Sequence, residues 1–436
     1  MSGKNCFEVL EKIFKPKNVQ KIEDIKGYTI KYGNIVDGEN IIDEVLVSYF
    51  KAPKSYTTEN MCEINSHGGN IVLKKILELC LKNGAELAEP GEFTKRAFLN
   101  GRIDLLQAES VIDIINAKSD KELKTGVKQL EGFLSNEIAQ IKQEILDVMV
   151  NIEVAIDYPE YDVDEVTNKQ ISDMLDSVEN KLKKLENSFD NGKIIKEGIK
   201  TAIVGKPNAG KSSLLNAILK EDRAIVTEIE GTTRDTIEEF VTINGIPLKL
   251  VDTAGIRKAK DEVEKIGVSK SREIAKEADL IIAIFDSSKD LTAEDMEILD
   301  LIKGKKVIIL LNKIDLNQKI DENDSRLLAI SKDIIKVSAL NNLGIDKLYE
   351  TITDMFNLNQ INLDNEILIT NLRQKNLITK AIEHVKVTKN SISSSMPLDI
   401  VAISIKEILE DLGNITGDEV TEDIIDEIFS KFCLGK

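Results

Sequence analysis

The chain has 436 residues, of which 42% are apolar and 31% charged, a balance typical of a globular protein with about two to four domains. Its formal net charge of −18 argues against binding of nucleic acid through the overall electrostatic field, because phosphate contacts come from Lys and Arg. The apolar runs are too short to span a membrane. Four cysteines without a C-x-x-C pair favour a reducing, cytoplasmic setting over a disulfide framework or a zinc ribbon.

The first part of the chain predicts a small folded domain followed by helices. Residues 1–99 combine short β-like runs with one helical stretch at 70–84, which is typical of an α+β domain. From about Ile103 the apolar residues recur at three- and four-residue steps in an almost continuous helical pattern. We expect Pro159 to interrupt this pattern, and a further amphipathic stretch runs to about Phe189.

The middle of the chain predicts an α/β domain. From Gly198 to about Phe356, buried apolar strands alternate with helical patterns, which favours a parallel sheet. A helical pattern returns after Leu358, so the simplest architecture is an α/β domain inserted into a helical domain. The predicted segments are 1–99 (α+β), 100–197 (helical, first part), 198–356 (α/β) and 357–436 (helical, second part).

The segment "GKPNAGKSS" (205–213) has the G-x-x-x-x-G-K-S spacing of a phosphate-binding loop between a predicted strand and a predicted helix. Its glycines would let backbone N–H groups surround the phosphates. Lys211 would reach the β and γ oxygens, and Ser212 would ligate Mg²⁺. Asn208 either presents its side-chain oxygen to the phosphates or stabilises the loop.

Three further motifs indicate that the nucleotide is GTP. "DTAG" (252–255) ends a strand, which places the Asp252 carboxylate near the metal and the last N–H near a γ-phosphate. "NKID" (312–315) and "SAL" (338–340) each follow a later strand. Asp315 can accept hydrogen bonds from N1–H and the 2-amino group of guanine, whereas adenine would leave this carboxylate unpaired.

Catalysis by this site needs a polar group from an unusual position. Ras-like GTPases use a Gln directly after the D-x-x-G glycine to orient the attacking water, and this chain has Ile256 there. The acidic stretch "DEVEKIG" (261–267) lies just downstream. The segment "AIVTEIEGTTRD" (224–235) resembles switch I, with Thr233 as the second hydroxyl on Mg²⁺.

The chain ends in "FCLGK" (432–436), which places a cysteine near the C-terminus. Prenylation is not expected, because Gly and Lys occupy the last positions and no polybasic stretch precedes them. Either Cys433 is a small buried hydrophobe at a helix end, or it has a chemical role. The amphipathic stretch 421–432 could carry the tail back to the N-terminal domain.

Longer stretches of the chain resemble the MnmE (TrmE) family of bacterial tRNA modification GTPases almost from end to end. They are "ENMCEINSHGGN" (59–70), "AEPGEFTKRAFLNGRIDLLQAESVIDIINAKS" (88–119) and "GNITGD…IFSKFCLGK" (413–436). The resemblance implies a homodimer with an N-terminal folate-binding domain, a helical domain and an inserted GTPase domain. It also implies a partner, the FAD-containing MnmG. Together they would add a carboxymethylaminomethyl-type group to C5 of the wobble uridine of certain tRNAs.

The same resemblance implies the cofactors and the residues of the nucleotide site. Ser212 and Thr233 would hold Mg²⁺, and Glu264 would position the attacking water. Potassium would lie at Asn208, Thr227, Ile229 and Thr232. The residues implied for GTP are Asn208, Ala209, Gly210, Lys211, Ser212, Ser213, Thr227, Glu228, Ile229, Glu230, Gly231, Thr232, Thr233, Asp252, Thr253, Ala254, Gly255, Asn312, Lys313, Asp315, Ser338, Ala339 and Leu340.

A second implied site would bind 5-formyl- or 5,10-methylene-tetrahydrofolate as the one-carbon source. Glu63, Arg102 and Lys436 are implied for folate, and Cys433 as a nucleophile or thiol participant. On the residues alone, Arg102 is interpreted as a solvated charge at a helix start. His67 is interpreted as part of a Gly-rich turn rather than as a catalytic group.

The N-terminus departs from the family pattern. Family members begin with a further strand and a Gly-rich loop that includes an Arg for folate, whereas this chain starts at "MSG". We therefore expect an open edge in the N-terminal sheet.

An Era- or EngA-like ribosome-assembly GTPase is the alternative function, since its nucleotide motifs look much the same. Such proteins carry a basic RNA-binding module, whereas the C-terminal segment here is acidic and helical. A folate-dependent one-carbon transferase with a regulatory GTPase would differ from the leading hypothesis only in its acceptor.

Overall fold

The computed structural model describes residues 1–18, 26–157, 164–220, 239–251, 277–359 and 366–435. The chain divides into two compact units. The first comprises Met1–Ile112, Gln129–Val178 and Lys380–Lys436, and the second comprises Asp113–Lys128 and Glu179–Thr379. The predicted division into four segments stays a prediction. No helix in the described ranges has the length and apolar character that a membrane span requires.

The first unit begins with an antiparallel sheet in the order β1-β2-β3-β4, as the β-like runs predict. Its strands are β1 (Phe14–Pro16), β2 (Thr29–Asp37), β3 (Asn40–Phe50) and β4 (Met61–Asn65), and helices α1 (Cys6–Ile13) and α2 (Asn70–Lys82) cover one face. Alternate residues of β3 are buried: Val45, Val47 and Tyr49 are at most 2% exposed. This period of two is what an apolar strand with one covered face shows.

The outer edge of β4 is only partly open, which corrects the expectation of an open edge. Ser2 forms an antiparallel bridge with Met61. The Met1 ammonium donates to the Cys62 carbonyl at 2.8 Å, and the Cys62 N–H donates to the Met1 carbonyl at 3.0 Å. Met1 and Ser2 thus occupy part of the edge of β4 at which a neighbouring strand would pair.

The predicted, almost continuous helical stretch after Ile103 is confirmed, with two short breaks. The elements are α3 (Glu92–Leu99), α4 (Leu105–Asn116), α5 (Asp120–Leu130) and α6 (Phe133–Asp157). A cap starts α5, because the Glu122 N–H donates to Ser119 Oγ at 3.2 Å and the Lys118 N–H donates to Glu122 Oε2 at 2.6 Å. Gly132, with φ +86°, separates α5 from α6. Pro159 lies outside the described residues.

The second unit contains a six-stranded sheet in the order β10-β9-β8-β5-β7-β6. Its strands are β5 (Ile199–Val204), β6 (Glu239–Ile243), β7 (Ile246–Val251), β8 (Leu280–Asp286), β9 (Val307–Asn312) and β10 (Ile334–Val337). All neighbours pair in parallel except β6, which is antiparallel to β7. The parallel sheet is thus confirmed apart from this edge, where Asn244 and Gly245 form a tight turn at φ +49° and +77°.

Helices complete both units. Those that alternate with the parallel strands are α9 (Lys211–Lys220), α10 (Ala293–Ile302), α11 (Ser325–Leu328) and α12 (Ile345–Met355). The others are α7 (Asp164–Asn187), α8 (Phe189–Glu197), α13 (Leu372–Ser393), α14 (Leu398–Thr416) and α15 (Glu422–Ser430). The predicted return to helix after Leu358 is therefore confirmed. In the first unit α6 packs along α14, where Lys142 Nζ lies 2.5 Å from Asp418 Oδ2.

Candidate functional site

The phosphate loop joins β5 to α9, and its glycines lie where a side chain would collide. A Cβ on Gly205 would lie 2.5 Å from the Ile284 carbonyl oxygen. Gly210 has φ +108°, and its Cβ would lie 2.0 Å from Asn312 Nδ2. The loop therefore packs directly against β8 and against the end of β9, an approach that only glycine allows. Between the glycines, Asn208 is exposed and has φ +62°.

Lys211 and Ser212 open α9 in the predicted strand–loop–helix context. Lys211 Nζ donates to the Gly205 carbonyl at 2.6 Å and to the Lys206 carbonyl at 2.9 Å. Ser212 and Ser213 lie exposed in the first turn of the helix. An ammonium and a helix N-terminus at one loop form a site suited to phosphate.

Asn312, the first residue of "NKID", links the phosphate loop to the segment after β10. It is 2% exposed. Its Nδ2 donates to the Ala209 carbonyl at 2.8 Å, and its Oδ1 accepts from the Ala339 N–H at 3.0 Å. The sequence predicted Asn312 and Ala339 as nucleotide residues, and the Asn312 side chain connects Ala339 to the phosphate loop.

Asp315 lies beside the segment predicted to complete the guanine site. Its Oδ1 accepts from Ser338 Oγ at 2.6 Å, and Asn341 Nδ2 donates to the same hydroxyl at 3.2 Å. Asp315 is exposed, and Leu340 in the adjacent turn is 80% exposed. A carboxylate held by one neighbour and open to solvent keeps acceptor capacity for a ligand's N–H groups.

Two ion pairs beside this site were not predicted from the sequence. Lys206 Nζ lies 2.5 Å from Asp295 Oδ2, and Lys313 Nζ lies 2.6 Å from Asp286 Oδ2. The available signals were a carboxylate that ends a strand, at Asp286, and a T-x-x-D capping pattern that ends in Asp295. Neither pattern by itself indicates a partner far away in the sequence.

Part of the predicted nucleotide site lies outside the described residues. This applies to Thr227, Glu228, Ile229, Glu230, Gly231, Thr232, Thr233, Asp252, Thr253, Ala254, Gly255 and Glu264, and also to Lys436 of the folate prediction. Their roles stay predictions.

The folate residues that are described both lie at the surface of the first unit. Glu63 is exposed on β4, opposite Ser48 of β3. Arg102 is exposed, and its guanidinium carbon lies 4.3 Å from the centroid of the Tyr56 ring. The Tyr56 hydroxyl lies 3.0 Å from the buried Thr94 Oγ1. Arg102 is therefore held by a cation–π contact rather than simply solvated.

The C-terminal tail lies against the start of α3, as the helix 421–432 suggested. The Gly91 N–H donates to the Cys433 carbonyl at 3.3 Å, and Leu434 forms a bridge with Pro90. Phe432 is buried beside Phe429, whereas Cys433 is exposed. The interpretation of Cys433 as a buried hydrophobe is therefore wrong, because Phe432 takes the buried place at the helix end.

His67 ties the Gly-rich turn after β4 to β3. Its Nδ1 lies 2.8 Å from Asp43 Oδ1, and its backbone N–H donates to Asp43 Oδ2 at 2.9 Å. Burial would raise the pKa of Asp43, but the hydrogen bonds from His67 outweigh it and lower this pKa. These contacts agree with a turn-forming role for His67.

Comparisons with known proteins cover the whole chain. The family described as "MnmE helical domain" matches residues 105–433, and that described as "GTP-binding protein TrmE N-terminus" matches residues 1–102. The chain is 51% identical to the tRNA modification GTPase MnmE of Clostridioides difficile, over 100% of this chain and 95% of that protein. Proteins of the same name from Acetivibrio thermocellus and Alkaliphilus oremlandii are 49% and 48% identical over the same shares.

A solved structure of Aquifex aeolicus Era is similar over a smaller part, with 29% identity over 42% of this chain and 65% of that chain and a TM-score of 0.26. The match to the MnmE helical domain alone spans more than half of the chain, and the curated relatives align with all of it. The chain therefore belongs to the MnmE (TrmE) family of tRNA modification GTPases.

Proposed function

We propose that this GTP hydrolase acts with the FAD-containing partner MnmG on the wobble uridine of certain tRNAs. The two proteins would add a carboxymethylaminomethyl-type group to C5 of that base. A tetrahydrofolate derivative, 5-formyl or 5,10-methylene, would supply the one-carbon unit. The observation that carries this proposal is the position of the C-terminal tail, since the exposed Cys433 lies against the start of α3 in the unit that contains Glu63 and Arg102.

The GTP site supports the first half of the proposal. Asp315 would accept from the guanine N1–H and 2-amino groups while Ser338 holds its other side. Lys211 would exchange its two loop carbonyls for the β and γ oxygens of the nucleotide. The residue after the D-x-x-G glycine is Ile256, and the resemblance to the family implies Glu264 as the group that positions water.

Two described residues of the proposed site have exposed oxygen atoms that are suited to cations. Ser212 lies in the exposed first turn of α9, where a hydroxyl can meet Mg²⁺ together with Thr233. Asn208 lies exposed in the phosphate loop, where its side-chain oxygen can ligate potassium with Thr227, Ile229 and Thr232. When bound, the two cations would neutralise charge on the phosphates, the task that an arginine finger performs in other GTPases.

The folate half of the proposal rests on two surface groups and on the tail. Glu63 offers an acceptor for the N–H groups of a pterin, and Arg102 offers a cation for an anionic part of the ligand. The tail would bring Cys433 and Lys436 to the same domain. We further propose that the N-terminal domain is a folate-binding domain and that the GTPase domain is inserted into the helical domain.

Charge supports the need for partners. A chain with a net charge of −18 repels tRNA at long range, so contact with the RNA must be local or supplied by a partner. MnmG is the partner that we propose, and a homodimer would order the loops around GTP by an order–disorder switch. A cytoplasmic location follows from the proposed substrate.

Nucleoside analysis of tRNA tests the function directly. We expect tRNA from cells that lack this gene to have lost the C5 modification of the wobble uridine, and the wild-type gene to restore it. Unchanged modification in the deletion strain would refute the proposal.

The cation dependence of GTP hydrolysis tests the metal assignment. The wild-type protein should hydrolyse GTP faster in potassium than in sodium, and Asn208→Ala should reduce that difference. Equal wild-type rates in the two salts would refute the potassium site. A Glu264→Ala protein that binds GTP and hydrolyses it at the wild-type rate would refute the role of that acid.

A further inference from the structure

We infer that two carboxylates, Asp286 and Asp295, position the two loops that bind the nucleotide. They lie at the two ends of the connection from β8 to α10, and we call the pair the carboxylate brace. Asp295 holds Lys206 of the phosphate loop, and Asp286 holds Lys313 of the "NKID" loop. The inference rests on the proposed binding of GTP at these loops and adds positioning residues to that site.

Asp295 is built into the start of α10 before it meets Lys206. The residue is 3% exposed, and its Oδ2 accepts from the Thr292 N–H at 2.8 Å and from Thr292 Oγ1 at 3.0 Å. This is a capping box, which fixes the carboxylate relative to the helix. Lys206 Nζ lies 2.5 Å from the same oxygen and donates to Thr292 Oγ1 at 2.8 Å. A largely buried ion pair with this geometry therefore ties the phosphate loop to α10.

Lys206 connects that anchor to the phosphate-binding lysine. Its own carbonyl accepts from Lys211 Nζ at 2.9 Å, so the backbone of Lys206 lies where the Lys211 ammonium lies. Because its side chain is neutralised by Asp295, Lys206 contributes to phosphate binding through the position of its backbone. A shift of this residue would move the loop N–H groups that surround the phosphates.

Asp286 plays the matching part for the "NKID" loop. Lys313 has φ +66°, a left-handed conformation that non-glycine residues rarely adopt, and its Nζ lies 2.6 Å from Asp286 Oδ2. Asp286 Oδ1 accepts from the Ser288 N–H at 3.1 Å and from Ser288 Oγ at 2.6 Å. Ser287 adds two donors, its N–H and Oγ, to the Asn312 carbonyl at 2.9 and 2.8 Å. The loop that carries Asp315 is thus held in position at its first two residues, Asn312 and Lys313.

The charge state of Asp286 agrees with this role. Burial would raise its pKa, but hydrogen bonds from Lys313 and Ser288 outweigh burial and hold the pKa below its ordinary value. The carboxylate therefore stays ionised at neutral pH, as the ion pair requires.

Loss of either carboxylate should change nucleotide binding in a different way. This difference distinguishes a positioning role from a general loss of stability, which would affect both variants alike. Asp295→Asn should weaken the binding of GDP and of IDP equally, on the order of tenfold, since the loss of a hydrogen bond to a charged group changes an equilibrium constant by about this factor. It should raise the KM for GTP with little change in kcat. Asp286→Asn should instead lower the preference for GDP over IDP, because IDP lacks the 2-amino group that Asp315 would read.

Fluorescence competition against a labelled GDP, with the full chain, measures these constants. Asp290→Asn is the matched control, because Asp290 lies between the two brace residues, is 80% exposed at its side chain and pairs with the exposed Lys319 at 3.4 Å. This variant should bind GDP and IDP as the wild type does. If Asp295→Asn does not fold, Lys206→Met breaks the same pair, and Lys206→Arg should restore most of the affinity.

The results distinguish the inference from the proposed function. A wild-type protein that binds no GDP refutes the proposed nucleotide site itself. Wild-type affinity in Asp295→Asn and Lys206→Met, or an unchanged GDP-to-IDP preference in Asp286→Asn, overturns the brace alone. A parallel loss of affinity and melting temperature in both variants, without the predicted difference in base preference, also overturns it.

Discussion

Replacement of Gly91 by alanine tests whether the C-terminal tail is held against α3. Gly91 has φ +69°, and a Cβ there would lie 2.8 Å from Phe432 Cβ and 2.9 Å from the Phe429 carbonyl oxygen. The left-handed conformation costs an alanine about 1–2 kcal/mol. The collision adds about 1–3 kcal/mol, the usual penalty for overpacking. Only the second contribution, the collision, weakens the contact between α3 and the tail.

Gly101 provides a matched control at the other end of α3. It has the same φ of +69°, but a Cβ there would have no heavy atom within 4 Å. Gly101→Ala should therefore have the conformational cost without a collision. The excess of about 1–3 kcal/mol in Gly91→Ala corresponds to an increase of about 5- to 150-fold in the undocked tail.

Hydrogen exchange followed by mass spectrometry measures this difference in residues 428–435. We expect faster exchange there in Gly91→Ala than in Gly101→Ala, together with lost tRNA modification and retained GTP hydrolysis in Gly91→Ala. Equal exchange of the tail in the two variants would refute the docked arrangement.

Three further outcomes are expected. Asn312→Ala should weaken GTP binding and lower the free energy of unfolding by about 2–6 kcal/mol in urea titrations, because the buried Ala209 carbonyl and Ala339 N–H each lose a partner worth about 1–3 kcal/mol; a loss below about 1 kcal/mol would contradict this. Burial raises the pKa of Glu122 from 4.5 to about 7. The folded state then binds this proton more tightly, so stability should fall by roughly 3 kcal/mol as the pH rises from 4.5 through 7. Glu122→Gln should flatten that part of the profile, and identical profiles would rule out the perturbed carboxyl. Cys433→Ser should retain GTP hydrolysis and lose tRNA modification; persistent modification would leave Cys433 without a chemical role.

The nucleotide site was predictable from the sequence wherever its chemistry lies in a short, contiguous motif. A phosphate loop needs glycines, a lysine and a hydroxyl at fixed spacing between a strand and a helix, so Lys211 and Ser212 could be placed without the fold. Asp315, which we propose to bind the base, could likewise be placed because its motif directly follows a strand. The antiparallel strand β6 had a local signal too, because Asn244-Gly245 is a typical hairpin turn.

The brace could not be predicted, because each of its lysines meets a carboxylate far along the chain. Lys206 meets Asp295 together with Thr292 of the same cap, which is 86 positions from Lys206, and Lys313 and Asp286 are 27 positions apart. The tail presents the same difficulty on a larger scale. An amphipathic pattern shows that one residue near a helix end is buried, but the packing against Gly91 decides that it is Phe432 and leaves Cys433 exposed.

The sequence by itself determined the alternation of strands and helices in the second unit, which follows from the period of apolar residues, and the motifs of the nucleotide site, which follow from local spacing. The family followed from the resemblance of longer stretches. Only the tertiary structure decided which distant groups meet: Asn312 with Ala209, Asp295 with Lys206, and the tail with the start of α3. The physical reason is that hydrogen bonds and ion pairs act over a few ångströms in space, whatever the distance along the chain.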